Sequence, residues 1–254
     1  MPYSIMLDAG HGGRDPGAVY NGRQEKDDTL ALTLAIGEIL QNRGIDVEYT
    51  RTTDVYESPY QKAMEANASG ADFFISIHRN SYPTDNTVSG VESLVYDKSG
   101  IKLEMAENID EALETVGFVN LGVKARPGLV VLRRTKMPAV LVEAGFINSD
   151  TDNQLFDDNF DDIALAVADG ILATLDADSG TPSSGYTVQT GAFRNRSNAE
   201  RLAGELNGLD FPAGIAEGDG LYRVTVGAFP TLDEAAAMER RLRQAGYQTV
   251  VISR

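Results

Sequence analysis

The chain of 254 residues contains no cysteine and no tryptophan, and only two histidines. Without cysteine it can form neither disulfides nor thiolate metal sites, so any metal must be held by histidine and carboxylate groups. No stretch approaches the roughly 20 apolar residues needed to cross a bilayer. The N-terminus, Met1-Pro2-Tyr3-Ser4 leading into Ile5-Met6-Leu7-Asp8, lacks the basic and apolar regions of a signal peptide. From this we expect synthesis in the cytoplasm and no membrane partner. Lysine is missing after Ser179. There arginines and acidic residues balance, so the whole net charge of −16 belongs to the part before it. So acidic a large part argues against nucleic acid as a partner. It would also be repelled by a polyanionic surface, so attachment to one would need a dedicated module.

What is present is an ordinary globular composition, 42% hydrophobic, enough for a sizeable core. A small, polar segment from Asp176 to Gly185 reads as a linker. It divides the chain into domains 1–176 and 186–254, joined by 177–185. Before it, strand-like runs alternate with helix-like ones. Ser4–Asp8, Asp46–Thr50, Phe73–Ile77, Gly90–Tyr96 and Ala139–Glu143 read as strands. Thr29–Arg43, Gln61–Ala68, Leu103–Thr115 and Asp161–Leu175 read as helices. This predicts an α/β domain with a mostly parallel twisted sheet flanked by helices on both faces. After the linker, Tyr186-Thr-Val-Gln-Thr-Gly-Ala-Phe193 is repeated 36 residues later as Tyr222-Arg-Val-Thr-Val-Gly-Ala-Phe229. Two β-α-β halves predict a small ferredoxin-like βαββαβ domain. Alternation about Val188 and Val224 puts Thr187, Gln189, Arg223 and Thr225 on the face away from the helices.

Both histidines lie where a site would be. His11 follows the first strand, in Asp8-Ala-Gly-His-Gly-Gly-Arg-Asp15, and His78 ends the buried-looking Ile75-Ser-Ile-His78. Glu143 ends a third apolar strand, and Glu25 opens the first helix. In open α/β sheets ligands gather outside the carboxyl ends of strands, so these groups can converge. Two imidazoles and a carboxylate suit Zn²⁺ with one position left for water, the ligands being His11, Glu25 and His78. Glu143 would then serve as the catalytic base. Each residue also has a plainer reading, as a hydrogen-bonded structural histidine or a first-turn glutamate. Glu143 is harder to dismiss, because a carboxylate after Ala-Val-Leu-Val is costly to bury. The glycine-rich loop at Gly10–Gly13 fits neither phosphate-cradling pattern.

With these blocks, and with Arg51-Thr-Thr-Asp54, Asn120-Leu-Gly-Val-Lys124 and Met137–Ile147 in the same order, residues 4–175 resemble the zinc-dependent N-acetylmuramoyl-L-alanine amidases. The resemblance implies cleavage of the amide between muramic acid and the first L-alanine of the peptidoglycan stem. It gives His11, Glu25 and His78 as zinc ligands and Glu143 as catalytic glutamate. Lys62 and Arg79 depart from the family pattern without touching a proposed ligand. Asp97–Gly117 is too short to hold an added inhibitory plug, so an open cleft is expected. The second domain resembles the SPOR repeat domain, which implies binding to glycan strands. Its candidate contacts are Gln189, Arg223 and Phe193, with Asn80 a further substrate contact beside His78. A four-stranded sheet bearing aromatics could instead bind RNA, but the absence of lysine there argues against it. Two other readings stand beside the amidase: a zinc peptidase cutting within the stem, and a wall-binding protein without catalysis. The expected partner is peptidoglycan, met by a monomer after lysis or non-classical release.

Overall fold

The computed structural model describes residues 3–179, 185–209, 211–218, 220–229 and 231–253. The chain divides into two compact units, Met1–Asp178 and Ser179–Arg254.

The first unit runs β1 (Ser4–Ala9), β2 (Val19–Tyr20), β3 (Arg23–Gln24), α1 (Glu25–Asn42), β4 (Asp46–Tyr49), α2 (Pro59–Ser69) and β5 (Phe73–Asn80). It continues with β6 (Glu92–Val95), α3 (Gly100–Val116), β7 (Lys124–Ala125), α4 (Val130–Arg134), β8 (Ala139–Phe146), α5 (Asp150–Asp158) and α6 (Phe160–Ser179). Six strands form one sheet in the order β4-β1-β5-β8-β6-β7. The first four are mutually parallel, and β6 runs antiparallel to β8 with β7 parallel to it. The expected mostly parallel sheet is therefore found, with an edge that reverses direction.

Strand alternation sorts the core into two layers. Ile5, Leu7, Phe73, Ile75, Ile77, Val140 and Val142 face α1, α3 and α6 through Leu32, Ile36, Met105, Ile109 and Val167. Met6, Phe74, Leu94 and Leu141 face α2 and α4 through Ala66, Val131 and Leu132. Helices thus cover both faces. At its start, α2 has Pro59 in the first turn and a reciprocal Ser58–Gln61 capping box, and it stops at Gly70 in the left-handed conformation. No side chain caps α1, and its first residue is Glu25. Helix α3, within the segment considered for a plug, buries Met105, Ile109 and Leu113 in the α1 layer. It is an ordinary layer helix. Helix α6 runs through Ser179, so residues 177–179 are helical and not part of a linker. The rest of the expected linker, apart from Gly185, lies outside the described residues.

The second unit runs β9 (Tyr186–Phe193), α7 (Arg196–Asn207), β10 (Ala213–Gly218), β11 (Leu221–Phe229), α8 (Leu232–Gln244) and β12 (Val250–Ser253). Its antiparallel sheet has the order β10-β11-β9-β12, the ferredoxin-like arrangement expected from the repeat. Val188, Val224 and Val226 pack with Ala199, Ala203, Leu206 and Leu242 in a core of its own. The predicted polar face needs correction. Gln189 and Arg223 stay partly exposed, but Thr187 and Thr225 are buried. The β9–β11 ladder is interrupted twice, at Thr190 and at Gly227-Ala228, where Gly227 has φ 69°. Such bulges add a residue to one strand and break the alternation. The Thr187 hydroxyl donates to the carbonyls of Val226 and Gly227 at the second bulge, at 3.3 and 2.8 Å.

Candidate metal centre

The site is assembled at the carboxyl ends of β1, β5 and β8. Gly10 follows β1 so closely on β5 that a Cβ there would lie 2.5 Å from the His78 ring. Its amide donates to the Ile77 carbonyl (3.0 Å), which sets the level at which the chain leaves the sheet. His11 comes next with φ 61°, a left-handed conformation that non-glycine residues seldom adopt. The preceding carbonyls are pinned from below. Arg51 donates to those of Ala9 (3.0 Å), Gly10 (2.9 Å) and Lys26 (2.8 Å), Thr29 to Gly10 (2.8 Å), and Lys62 to Ala9 (2.5 Å).

His11 Nδ1 donates to Asp15 Oδ2 at 2.9 Å, which turns Nε2 towards Glu25 Oε2 at 3.1 Å. His78 Nδ1 faces the other oxygen of Glu25 at 2.8 Å. The two imidazoles stand edge to face with centroids 5.0 Å apart. Glu25 is buried and also accepts the amide protons of Ala18 (2.9 Å) and Arg79 (3.1 Å). Burial raises a carboxyl's pKa, but here His11 and His78 outweigh it and hold Glu25 well below the usual range. Burial likewise disfavours the charged form of His11, yet Glu25 and Asp15 bring it up to about 9. The carboxylate shared by two imidazoles is an arrangement that a dication would replace in kind. One ligand atom from each of His11, Glu25 and His78 lies within 4.8 Å of the others. Two ring nitrogens and a carboxylate oxygen, with His11 oriented from behind by Asp15, fit a zinc ion.

Glu143 is the register partner of His78 on β8. Its Oε2 is buried without a hydrogen-bond partner. Burial pushes its carboxyl up to about 7, opposed by the neighbouring His78 and reinforced by Glu25 and Glu92. A base placed beside the triad, short of partners and titrating near neutrality, suits proton transfer.

All four residues singled out for the metal and the base are therefore brought together. Asn80 is close by, but its Nδ2 donates to Glu92 Oε1 at 3.0 Å and its Oδ1 accepts the Ser81 amide at 2.8 Å. Lys62 and Arg79 touch the ligand residues after all, Lys62 through the His11 carbonyl (3.4 Å) and Arg79 through its amide to Glu25. In the second unit Gln189 and Arg223 lie on partly exposed backbone, whereas Phe193 packs against the domain core. Glu92 and Lys124, which form an ion pair beside Glu143, escaped the sequence reading. A carboxylate directly opposite another across two strands was the available signal, but it needs the register to be known.

Comparison with known proteins agrees with this geometry. The N-acetylmuramoyl-L-alanine amidase family matches residues 5–173, and the SPOR domain matches residues 182–253. The chain is 38% identical over 214 residues to the sporulation-specific N-acetylmuramoyl-L-alanine amidase of Bacillus subtilis, covering 81% of this chain and 82% of that protein. It is 37% identical over 185 residues to the endolysin of Bacillus phage SPP1, covering 69% and 67%. The crystal structure of N-acetylmuramoyl-L-alanine amidase from Clostridium difficile 630 superposes with a TM-score of 0.65 at 32% identity, over 69% of this chain and 98% of that one. With a family match over most of its length and a site of matching construction, this chain belongs to the N-acetylmuramoyl-L-alanine amidases and carries a SPOR domain after the amidase domain.

Proposed function

We propose that this amidase is a zinc enzyme that hydrolyses the bond between the lactyl group of N-acetylmuramic acid and the L-alanine of the stem peptide. The observation that carries the zinc assignment is the convergence of His11, Glu25 and His78 within 4.8 Å, with the unpartnered Glu143 carboxylate on the adjacent strand. When bound, zinc supplies a polarised substrate carbonyl and a water of lowered pKa. The chain does the rest. Asp15 fixes the His11 ring so that Nε2 faces inward. Glu143 takes the proton of the attacking water as the new C–O bond forms. It then delivers that proton to the alanine nitrogen as the C–N bond breaks. Because Oε2 has no competing donor, it is free for that traffic.

The SPOR unit holds the enzyme on peptidoglycan, with Gln189 and Arg223 as the residues to test first. A relative named for sporulation and another named as a phage endolysin support a role in opening the wall during lysis.

Metal analysis of the purified protein is expected to find one zinc per chain. Replacing His11 or His78 by Ala should remove metal and wall lysis together. Glu143→Gln should keep the metal while kcat falls about 10²–10⁴-fold. Full activity in chelated protein would refute the zinc assignment. Products with intact glycan and a free L-alanine amine distinguish amidase action from cleavage within the stem peptide.

A further inference from the structure

Register places His78, Glu143 and Glu92 in one row across β5, β8 and β6. Two residues along, Leu94 pairs with Lys124 of β7, so the Lys124 side chain rises on the same sheet face and reaches Glu92 Oε2. Glu92 is buried, and its other oxygen is held by Asn80 at 3.0 Å. The Lys124 ammonium is thus anchored from below at one position. Three other basic groups near the site are enclosed, while Arg14 of the His11 loop is exposed and stands over the Tyr56 ring at 4.2 Å. The side chain of Lys26 on Asp54 is 12% exposed, that of Lys62 on Asp8 4%, and that of Arg79 on Asp28 1%, against 40% for Lys124. Only one of its three N–H donors is needed for Glu92.

We propose that Lys124 forms a subsite for a carboxylate of the leaving peptide, one to two residues beyond the scissile amide. This rests on the amidase reading above. Adjacent strands lie about 4.8 Å apart, which puts the Glu92 end of the row roughly 10 Å from His78. An extended peptide advances about 3.3–3.6 Å per residue, so the second residue of the stem reaches that end. On the sugar side of the bond the available groups are hydroxyls and an acetamide. On the peptide side, a glutamate joined through its side chain leaves its α-carboxylate free at the second position. That carboxylate meets the Lys124 ammonium, 40% exposed and held at the Glu92 end of the row.

The test uses the zinc-loaded full chain and two soluble muramoyl peptides that differ only in a free or amidated α-carboxyl at the second residue. The wild type is expected to show a KM about tenfold lower for the free acid, with similar kcat. Lys124→Met should erase that difference and Lys124→Arg should preserve it. A difference that persists in Lys124→Met would overturn the subsite, as would wild-type enzyme that cleaves both peptides equally well. Failure to cleave either peptide would instead strike at the amidase reading itself.

Discussion

Among single residues, the buried charges below the site show what holds it. Asp8 is 1% exposed and accepts from Lys62 (2.7 Å), Thr50 (2.7 Å) and Ser76 (2.6 Å). Burial alone would raise its pKa, but Lys62 and the hydroxyls bring it below the usual carboxylate range. A folded pKa below the unfolded one means that the stabilisation is complete above roughly pH 4 and lost as pH falls through the folded value. Removing one member of a buried pair typically costs about 3–5 kcal/mol. Lys62→Met is therefore expected to lose stability on that scale at pH 7, measured by urea unfolding. The loss should shrink in acid, where Asp8 is neutral in either protein. A pH-independent loss would mean that packing, not charge, is what Lys62 supplies. Arg79 belongs to the same class. Burial lowers it to about 10, still cationic at neutrality, and it joins Asp28 of α1 (2.7 Å) to Asn153 of α5 (2.9 Å) over the Phe156 ring. Its departure from the family pattern is thus met by partners from two helices.

At the scale of elements, α3 is fastened to the sheet through one acid. Asp110 accepts both the amide (3.1 Å) and the hydroxyl (2.7 Å) of Ser93 on β6. Burial pushes its carboxyl up to about 6. Here the folded state binds the proton more tightly than the unfolded chain, so stability falls as pH rises from about 4 through about 6 and is then level. Asp110→Asn should flatten that slope, as read from thermal unfolding across pH 4–7. An unchanged slope would assign it to other carboxylates. Elements were also what the sequence reported best. Five strands and four helices of the first unit were legible from apolar periodicity. The reversed direction of β6 was not legible. Parallel and antiparallel strands share the same period of two, and only the partner decides between them.

For the whole molecule, the two units have separate cores, and the acidic charge belongs to the first of them. The second unit closes its own two-helix, four-strand layer, so we expect residues 186–254 to fold alone and sediment with insoluble wall. Deleting them should weaken lysis of intact wall and spare cleavage of small soluble fragments, since tethering raises local concentration without altering chemistry. An isolated unit that remains in the supernatant at every salt concentration would rule out an anchoring role.

The sequence by itself determined the two-part organisation and the α/β and ferredoxin-like classes, and it singled out the four residues proposed for the zinc and proton-transfer site. His78 and Glu143 stand out because a polar group on an apolar strand is costly and hence conspicuous, and a repeat is visible without coordinates. The tertiary structure alone decided which residues stand around those four. Glu92 and Lys124 become a pair only when β6 and β7 join the far side of β8. Phe193 packs with the core because the extra residue at Thr190 shifts the count along β9 by one. A one-residue slip exchanges the faces of a strand, and the pairing partner, not local sequence, sets where the slip occurs.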